Sequence, residues 1–218
     1  MLTHTEENYL KVIYHLSHTE DGGISTNAIA QKIDTKASSV TDMIKKLKEK
    51  ELITHQKYQG VFITDAGKQA AKMIIRKHRL WEVFLVDTLH FNWDEVHDVA
   101  EQLEHIKSEK LINALDAFLG YPKEDPHGDP IPNAKGEIPF REKELLAETL
   151  IDTNYMCVGV KDTSSAFLQY LDRQKIALGT TFKVVKHEKF DHSVTISLNN
   201  IELTLSKVVA QNLFVKQL

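Results

Sequence analysis

The sequence predicts a mainly α-helical protein with a smaller share of β-structure. Three short helical patterns followed by a hairpin pattern open the chain, which is the order of a winged helix-turn-helix. Longer helical patterns continue to about residue 119, and residues from about 145 alternate between apolar and polar. All five prolines lie in the stretch "YPKEDPHGDPIPNAKGEIP" between these parts. We therefore expect a winged helix, a helical middle and a small β-rich barrel or sheet.

The first three helices have recognisable start signals. Thr3 and Glu6 form a capping-box pattern at the start of the first helix, and "EDGG" at 20–23 is expected to end it. Ser25 can cap a second helix, "TNAIAQKI". A third helix is expected over about 37–50, and "LITHQ" and "VFIT" around "KYQG" predict a hairpin.

Further along, a long helix is expected from near Asp65, with two more over 93–107 and about 108–119. Leu145 to Leu150 is expected to close another helix. "YMCVGVKD", "TFKVVKHE", "SVTISL" and "IELTLS" predict strands, and "SSAFLQYLDRQKI" predicts a helix between the first two. The predicted domains are 1–74 (winged helix), 75–140 (helical, with a Pro-rich linker from 121) and 145–218 (β-rich).

Composition narrows the class of protein. The chain has 218 residues, one cysteine and a formal net charge of −4, so it is not a bulk basic nucleic-acid binder and has no internal disulfide. Residues 36–50 nevertheless contain five lysines. A helix that begins with the small residues "SSVTD" and continues with lysines suits a DNA groove and its phosphates. A helical packing module that touches no DNA is the alternative.

A polar arc in the stretch "VHDVAEQLEH" raises the question of a cation site. If this stretch is one helix, His97, Glu101, Glu104 and His105 fall within one arc of about 100°. The arc can be a solvated face or a metal site. Upstream, His78 and Glu82 repeat the one-turn spacing at which imidazole and carboxylate converge on one ion.

The winged helix, "RKHRLWEVFL", "VHDVAEQLEH" and "GDPIP" together resemble the diphtheria toxin repressor family of iron- and manganese-dependent transcriptional regulators. The resemblance implies a homodimer that binds operator DNA when loaded with a divalent metal and represses metal-uptake genes. It also implies that the last part is an SH3-like domain.

The resemblance further implies two groups of metal ligands. The residues of the primary site are Asn8, Glu101, Glu104 and His105, and those of the ancillary site are His78, Glu82, His97 and, from the SH3-like domain, Asp162. Two positions depart from the family pattern. Asn8 stands where relatives carry Asp or Met, and Lys11 stands where related manganese regulators can carry an acid.

Oxygen and imidazole ligands are compatible with Mn²⁺ and leave Fe²⁺ as the alternative. The expected DNA contacts are Thr5, Lys36, Ser38, Ser39 and Thr41, with Lys45, Lys46 and Lys57 as candidates for phosphates. The N-terminus lacks the pattern of a signal peptide and no 18-residue apolar run exists, so a cytoplasmic protein without a membrane span is expected. A metal-dependent hydrolase and a winged-helix sensor of an organic ligand are the rival functions.

Overall fold

The computed structural model describes residues 2–19 and 22–218. Among these residues the chain forms two compact units. Unit 1 comprises the described part of Met1–His78 with Glu101–Ala114 and Pro132–Glu137, and unit 2 comprises Arg79–Ala100, Leu115–Ile131 and Ile138–Leu218. The predicted domain boundaries follow chain order instead, and they stay a prediction.

The winged helix-turn-helix in unit 1 confirms the predicted helices. Helix α1 spans His4–Leu16, α2 spans Thr26–Ile33 and α3 spans Ala37–Glu49. The predicted caps are present: Thr3 and Glu6 form a capping box, and the Ser25 hydroxyl accepts the N–H of Ala28. Helix α1 ends at Leu16, before the predicted stop at 20–23. Residues 20 and 21 of that stretch lie outside the described residues.

The predicted hairpin follows α3. Strand β1 is Ile53–Gln56 and strand β2 is Gly60–Ile63, and Ile53 pairs with Ile63 in antiparallel register. The inner faces of the helices and the hairpin pack into one apolar core, which includes Leu10, Ile13, Ile29, Val40, Leu47 and Val61. This core fixes the direction in which the outer face of α3 points.

Three further helices follow. Helix α4 spans Asp65–Asp87, α5 spans Val96–Leu103 and α6 spans Glu109–Phe118. The predicted helix over 93–107 is thus too long, because α5 ends at Leu103. Glu104 and His105 lie in the turn after the helix, so the prediction of one helical arc for all four polar residues is wrong.

The β-rich part of unit 2 is a six-stranded antiparallel sheet. Its strands are β3 (Glu144–Leu145), β4 (Asn154–Val160), β5 (Thr181–His187), β6 (Val194–Leu198), β7 (Ile201–Leu205) and β8 (Leu213–Gln217), in the order β3-β8-β4-β5-β6-β7. Helix α7, Ser165–Arg173, packs Phe167, Leu168 and Leu171 into the core of the sheet, and a short helix α8 covers Lys207–Ala210. Asn199 and Asn200 have φ of 51° and 64° in the β6–β7 turn, a left-handed conformation that asparagine tolerates in tight hairpin turns.

The predicted helix from Leu145 to Leu150 is wrong, since only a 3₁₀ turn at Leu146–Glu148 forms. The Thr149 hydroxyl donates to the carbonyl of Leu146, and the N–H of Leu150 donates to the hydroxyl of Tyr155. These side chains take the backbone groups that a continuing helix would need.

Candidate functional site

A first polar cluster lies in unit 1 and centres on Glu104. We call Lys11, His78, Glu101 and Glu104 the Glu104 cluster. The Lys11 ammonium lies 2.8 Å from both oxygens of Glu104 and 2.9 Å from Oε1 of Glu101. His78 Nδ1 lies 2.7 Å from Oε2 of Glu104. The Glu104 side chain is 0% exposed and that of Lys11 is 12% exposed, so this is a buried ion pair between α1 and the turn after α5.

Glu104 is held as an anion. Burial by itself would raise the pKa of Glu104, but the hydrogen bond from His78 and the charge of Lys11 outweigh burial and lower that pKa. A carboxylate oxygen can only accept, so the Nδ1 of His78 carries a hydrogen and donates it to Glu104.

His105 and Asn8, both expected in the primary site, have other surroundings. His105 Nδ1 pairs with the Glu7 carboxylate at 2.5 Å, and the ring of His4 stacks on that of His105 at 4.3 Å. Asn8 Oδ1 is buried and accepts no hydrogen bond. Within the described part of the chain, no group of three ligand atoms within 4.8 Å of one another includes Glu101, Glu104 or His105.

A second cluster lies in unit 2, and we call Glu82, Asp125 and His127 the Glu82 centre. One ligand atom from each of these residues lies within 4.8 Å of the others, and all three side chains are buried. His127 Nδ1 lies 3.7 Å from Oε1 of Glu82, and His97 Nδ1 lies 3.7 Å from the same oxygen. Two carboxylates and one imidazole form a donor set that fits a divalent cation.

Local hydrogen bonds hold the conformation of the loop that carries Asp125 and His127. Oδ1 of Asp125 accepts the backbone N–H groups of His127 and Asp129 at 2.8 and 3.0 Å. Gly128 has a φ of 84°, and an added Cβ would lie 2.2 Å from the carbonyl oxygen of Val158. Only glycine therefore lets this loop approach β4, where the N–H of Val160 donates to the carbonyl of His127.

The orientation of His127 prepares one nitrogen for a ligand role. Nε2 lies 2.8 Å from the carbonyl oxygen of Trp93, which can only accept. The Nε2 hydrogen is therefore fixed there, and Nδ1 faces Glu82. Burial alone would lower the pKa of His127, but the nearby carboxylates of Glu82 and Asp125 raise it.

The pKa of Asp125 shows that burial and neighbouring acids outweigh the positive charge of Arg79 in the Glu82 centre. Burial, with the charge of Glu82 added, raises the pKa of Asp125 to about 7, although the Arg79 guanidinium works in the opposite direction. Arg79 Nε lies 3.3 Å from Oδ2 of Asp125, and Nη2 lies 3.2 Å from Oδ2 of Asp129. A second cation in this centre would favour the ionised form of Asp125.

Sequence reasoning missed Asp125 and His127, because the Pro-rich stretch was interpreted as an irregular linker. The stretch is irregular, yet Asp125, His127 and Ile131 are buried in it. The available signal was "EDPHGD", where acids flank a histidine beside a glycine. Of the expected ancillary ligands, His78 and Glu82 lie one turn apart on α4. Asp162 Oδ1 accepts the N–H of Ser164 at 2.8 Å, and its ligand role stays a prediction.

The expected DNA contacts lie on an exposed surface. The exposed residues are Thr5, Lys36, Ser38, Ser39, Thr41, Lys45, Lys46 and Lys57. Lys36 is the N-cap of α3, and Lys45 pairs with Asp42 at 3.1 Å while both side chains stay mostly in solvent. At the tip of the hairpin, Tyr58 is 94% exposed and the Lys57 ammonium lies 5.0 Å from the centre of its ring. Small residues at the start of α3 and lysines after them suit a groove and phosphates, respectively.

No helix in the described ranges is long and apolar enough to cross a membrane. The single cysteine, Cys157, is buried in β4, and burial raises the pKa of its thiol to about 11. It is therefore a core residue without a role in either cluster.

Three family models match the chain in succession. Residues 1–61 match the iron dependent repressor N-terminal DNA binding domain, residues 64–133 match the iron dependent repressor metal binding and dimerisation domain, and residues 145–217 match the FeoA domain. The three matches follow the order of the winged helix, the helical part and the sheet.

Individual relatives agree with these matches. The chain is 32% identical over 125 residues to the HTH-type transcriptional regulator MntR of Oceanobacillus iheyensis, covering 57% of this chain and 84% of that protein. It is 26% identical over 230 residues to the diphtheria toxin repressor of Corynebacterium diphtheriae, covering 100% and 99%. A solved manganese-dependent transcriptional repressor in complex with manganese superposes with a TM-score of 0.86 at 34% identity, covering 98% of this chain and 100% of that one.

Proposed function

The chain belongs to the family of iron- and manganese-dependent transcriptional repressors, and from that premise we propose a cytoplasmic, manganese-responsive repressor. It would bind operator DNA as a homodimer and control metal-uptake genes. The observation that carries the proposal is the Glu82 centre, a buried set of two carboxylates and one imidazole in a protein with a winged helix. The predicted domains, 1–74, 75–140 and 145–218, are part of the same proposal.

The donor set supports manganese over iron. Oxygen and imidazole ligands suit Mn²⁺, and the Glu82 centre offers no sulfur ligand of the kind that softer metals favour. A related structure is described as a complex with manganese, which supports the same choice. Fe²⁺ is the alternative cofactor.

Within this proposal Glu82, Asp125 and His127 hold the metal. His97 is a candidate for an additional ligand, because its Nδ1 lies 3.7 Å from Oε1 of Glu82. The ion would supply positive charge to a centre in which burial opposes the ionised form of Asp125. Arg79 and the carbonyl of Trp93 orient two of the three ligands.

The proposed DNA surface is the start of α3 with the tip of the hairpin. Ser38, Ser39 and Thr41 would face base edges, while Lys45, Lys46 and Lys57 would bind phosphates. Ser38→Trp would hold the α3 backbone away from the groove, so we expect it to abolish specific binding and keep the helical circular-dichroism signal of the wild type.

Exposed apolar side chains in unit 2 support a homodimer. Leu89, Phe91, Phe118 and Tyr121 are all exposed. Apolar side chains on a protein surface mark contact sites when several occur together. Two copies would present two recognition helices, and operator half-sites would need to match their spacing.

Binding to a duplex selected by this protein from a random library in Mn²⁺ tests the proposal. Metal-loaded protein should bind the duplex at least about tenfold more tightly than chelated protein, which is about 1.4 kcal/mol of coupling. Glu82→Gln should lose this difference, whereas Glu188→Gln, which changes an exposed carboxylate on a surface loop, should keep it. Equal affinity of loaded and chelated wild type would contradict metal-responsive repression.

A further inference from the structure

We propose that the Lys11 ammonium is the resident cation of the Glu104 cluster, in place of the divalent ion that the family resemblance implies there. The inference rests on the proposed function, in which manganese is held by the Glu82 centre. It assigns the two clusters different cations: a divalent ion in one and a lysine side chain in the other.

The geometry around Lys11 is that of a filled cation site. An ammonium has three hydrogens to donate, and three carboxylate oxygens lie at 2.8, 2.8 and 2.9 Å from Nζ. These oxygens belong to Glu101 and Glu104, two of the four residues implied as primary ligands. A divalent ion could bind them only by displacing the ammonium.

Glu104 also accepts a hydrogen bond from a second residue. His78 donates from Nδ1 to Oε2 of Glu104 at 2.7 Å, in addition to the contacts with Lys11. Glu104 is fully buried, so no solvent competes for these contacts. Lys11 and His78 both stabilise the charged form of this one carboxylate. The charge of Lys77 also acts on it.

A divalent ion added to this arrangement would meet repulsion at short range. Lys11 is almost buried, so its charge is weakly screened by water. Moving Lys11 out of the cluster would break three charge-assisted hydrogen bonds at once. The buried Oδ1 of Asn8, which accepts no hydrogen bond, would suit a cation, but a neutral amide adds no charge to compensate.

The consequence concerns how α1 is anchored. Lys11 and Glu7, both on α1, pair with Glu104 and His105, and the Lys107 ammonium donates to the carbonyl of Leu2 at 3.0 Å. Helix α1 is thus joined to the segment after α5 by ion pairs that need no metal. Metal dependence then enters through the Glu82 centre alone.

Counting bound Mn²⁺ tests the inference without DNA. Equilibrium dialysis with electron paramagnetic resonance of free Mn²⁺, at saturating metal, gives the number of ions per chain. Wild type and Glu104→Gln should bind equal numbers, and Glu82→Gln should bind one fewer. Lys11→Met, which keeps the apolar stem and removes the ammonium, should bind one more than wild type. Lys45→Met, which changes an exposed lysine, should match wild type.

Two results would overturn the inference: a loss of one Mn²⁺ in Glu104→Gln, or no gain in Lys11→Met. If Lys11→Met does not fold, anomalous scattering from crystals of Mn²⁺-loaded wild type decides instead. Absence of a manganese peak beside the Glu104 carboxylate supports the inference, and a peak there overturns it. These experiments count bound metal and do not measure operator binding. A failure of metal-responsive repression can therefore be distinguished from a failure of this inference.

Discussion

The Glu104 cluster and the Glu82 centre contain similar residues in opposite electrostatic states. Each has a buried carboxylate beside a histidine, and burial by itself raises the pKa of both Glu104 and Asp125. In the Glu104 cluster, His78 and Lys11 reverse that effect and lower the pKa of Glu104. In the Glu82 centre, Glu82 adds to the effect of burial, and the pKa of Asp125 rises to about 7 in spite of Arg79.

The difference teaches that a cluster of His and Glu is not by itself a metal site. A carboxylate whose charge is matched by an internal ammonium is satisfied within the protein. A buried carboxylate beside a second one retains a proton that a cation can replace.

The largest expected effect is on the stability of the metal-free protein. Glu104→Ala would leave the buried Lys11 ammonium with only the partly exposed Glu101, so the free energy of unfolding should fall by about 3–5 kcal/mol. Chemical denaturation in chelator measures it. Combining Glu104→Ala with Lys11→Met should be less destabilising than Glu104→Ala alone. If Glu104→Ala lowered the free energy of unfolding by less than about 1 kcal/mol, the Lys11–Glu104 pair would behave like an exposed ion pair. The two clusters would then not differ as described.

The second expected effect is on metal affinity. Glu82→Gln removes the anionic oxygen that faces both His97 and His127, so Mn²⁺ affinity should fall by at least about 100-fold, or about 2.7 kcal/mol. Titration calorimetry measures the affinity, and Glu101→Gln is the matched control from the other cluster. If the control lost as much affinity as Glu82→Gln, both clusters would hold metal.

The third effect is the dependence of stability on pH. The pKa of Asp125 rises from 3.8 to about 7 on folding, so between these values the folded state holds a proton that the unfolded state has lost. The contribution of Asp125 should therefore lower the free energy of unfolding as pH rises, by at most about 1.4 kcal/mol per pH unit, and level off above about pH 7. Asp125→Asn should remove this slope.

The pKa of Glu104 shifts the other way, so its contribution is present above pH 4.5 and is lost as pH falls further. Chemical denaturation between pH 5 and about 8 gives the slope of the free energy of unfolding against pH for metal-free wild type and for metal-free Asp125→Asn. Equal slopes in the two proteins would mean that Asp125 ionises normally in the folded state.

The smallest expected effect is on stability when an exposed ion pair is removed. The pair between Lys45 and Asp42 serves as the reference for the buried pair between Lys11 and Glu104. Lys45 and Asp42 are 68% and 73% exposed, so Lys45→Ala should change stability by less than about 1 kcal/mol. The same variant should weaken binding to all duplexes and lower the slope of log affinity against log salt by about one unit. An unchanged salt slope would remove Lys45 from the phosphate contacts.

The sequence by itself determined most of the helices and strands. The capping box of Thr3 and Glu6, the cap at Ser25 and the helix α3 were all predicted, because caps and periodicity act within about one helical turn. The same local signals predicted the hairpin after α3. They failed at Leu145 to Leu150, where the side chain of Tyr155 takes a backbone N–H.

Only the tertiary structure decided which charges meet. Lys11 and Glu104 are 93 residues apart, and His78 and Glu104 are 26 apart, so no local pattern pairs them. Asp125 and His127 lie in an irregular stretch without periodicity, and the close approach of Gly128 to β4 brings them to Glu82. The sequence supplied the ligand types, and the tertiary structure determined which charged groups lie next to one another, because charge pairing depends on distance in space.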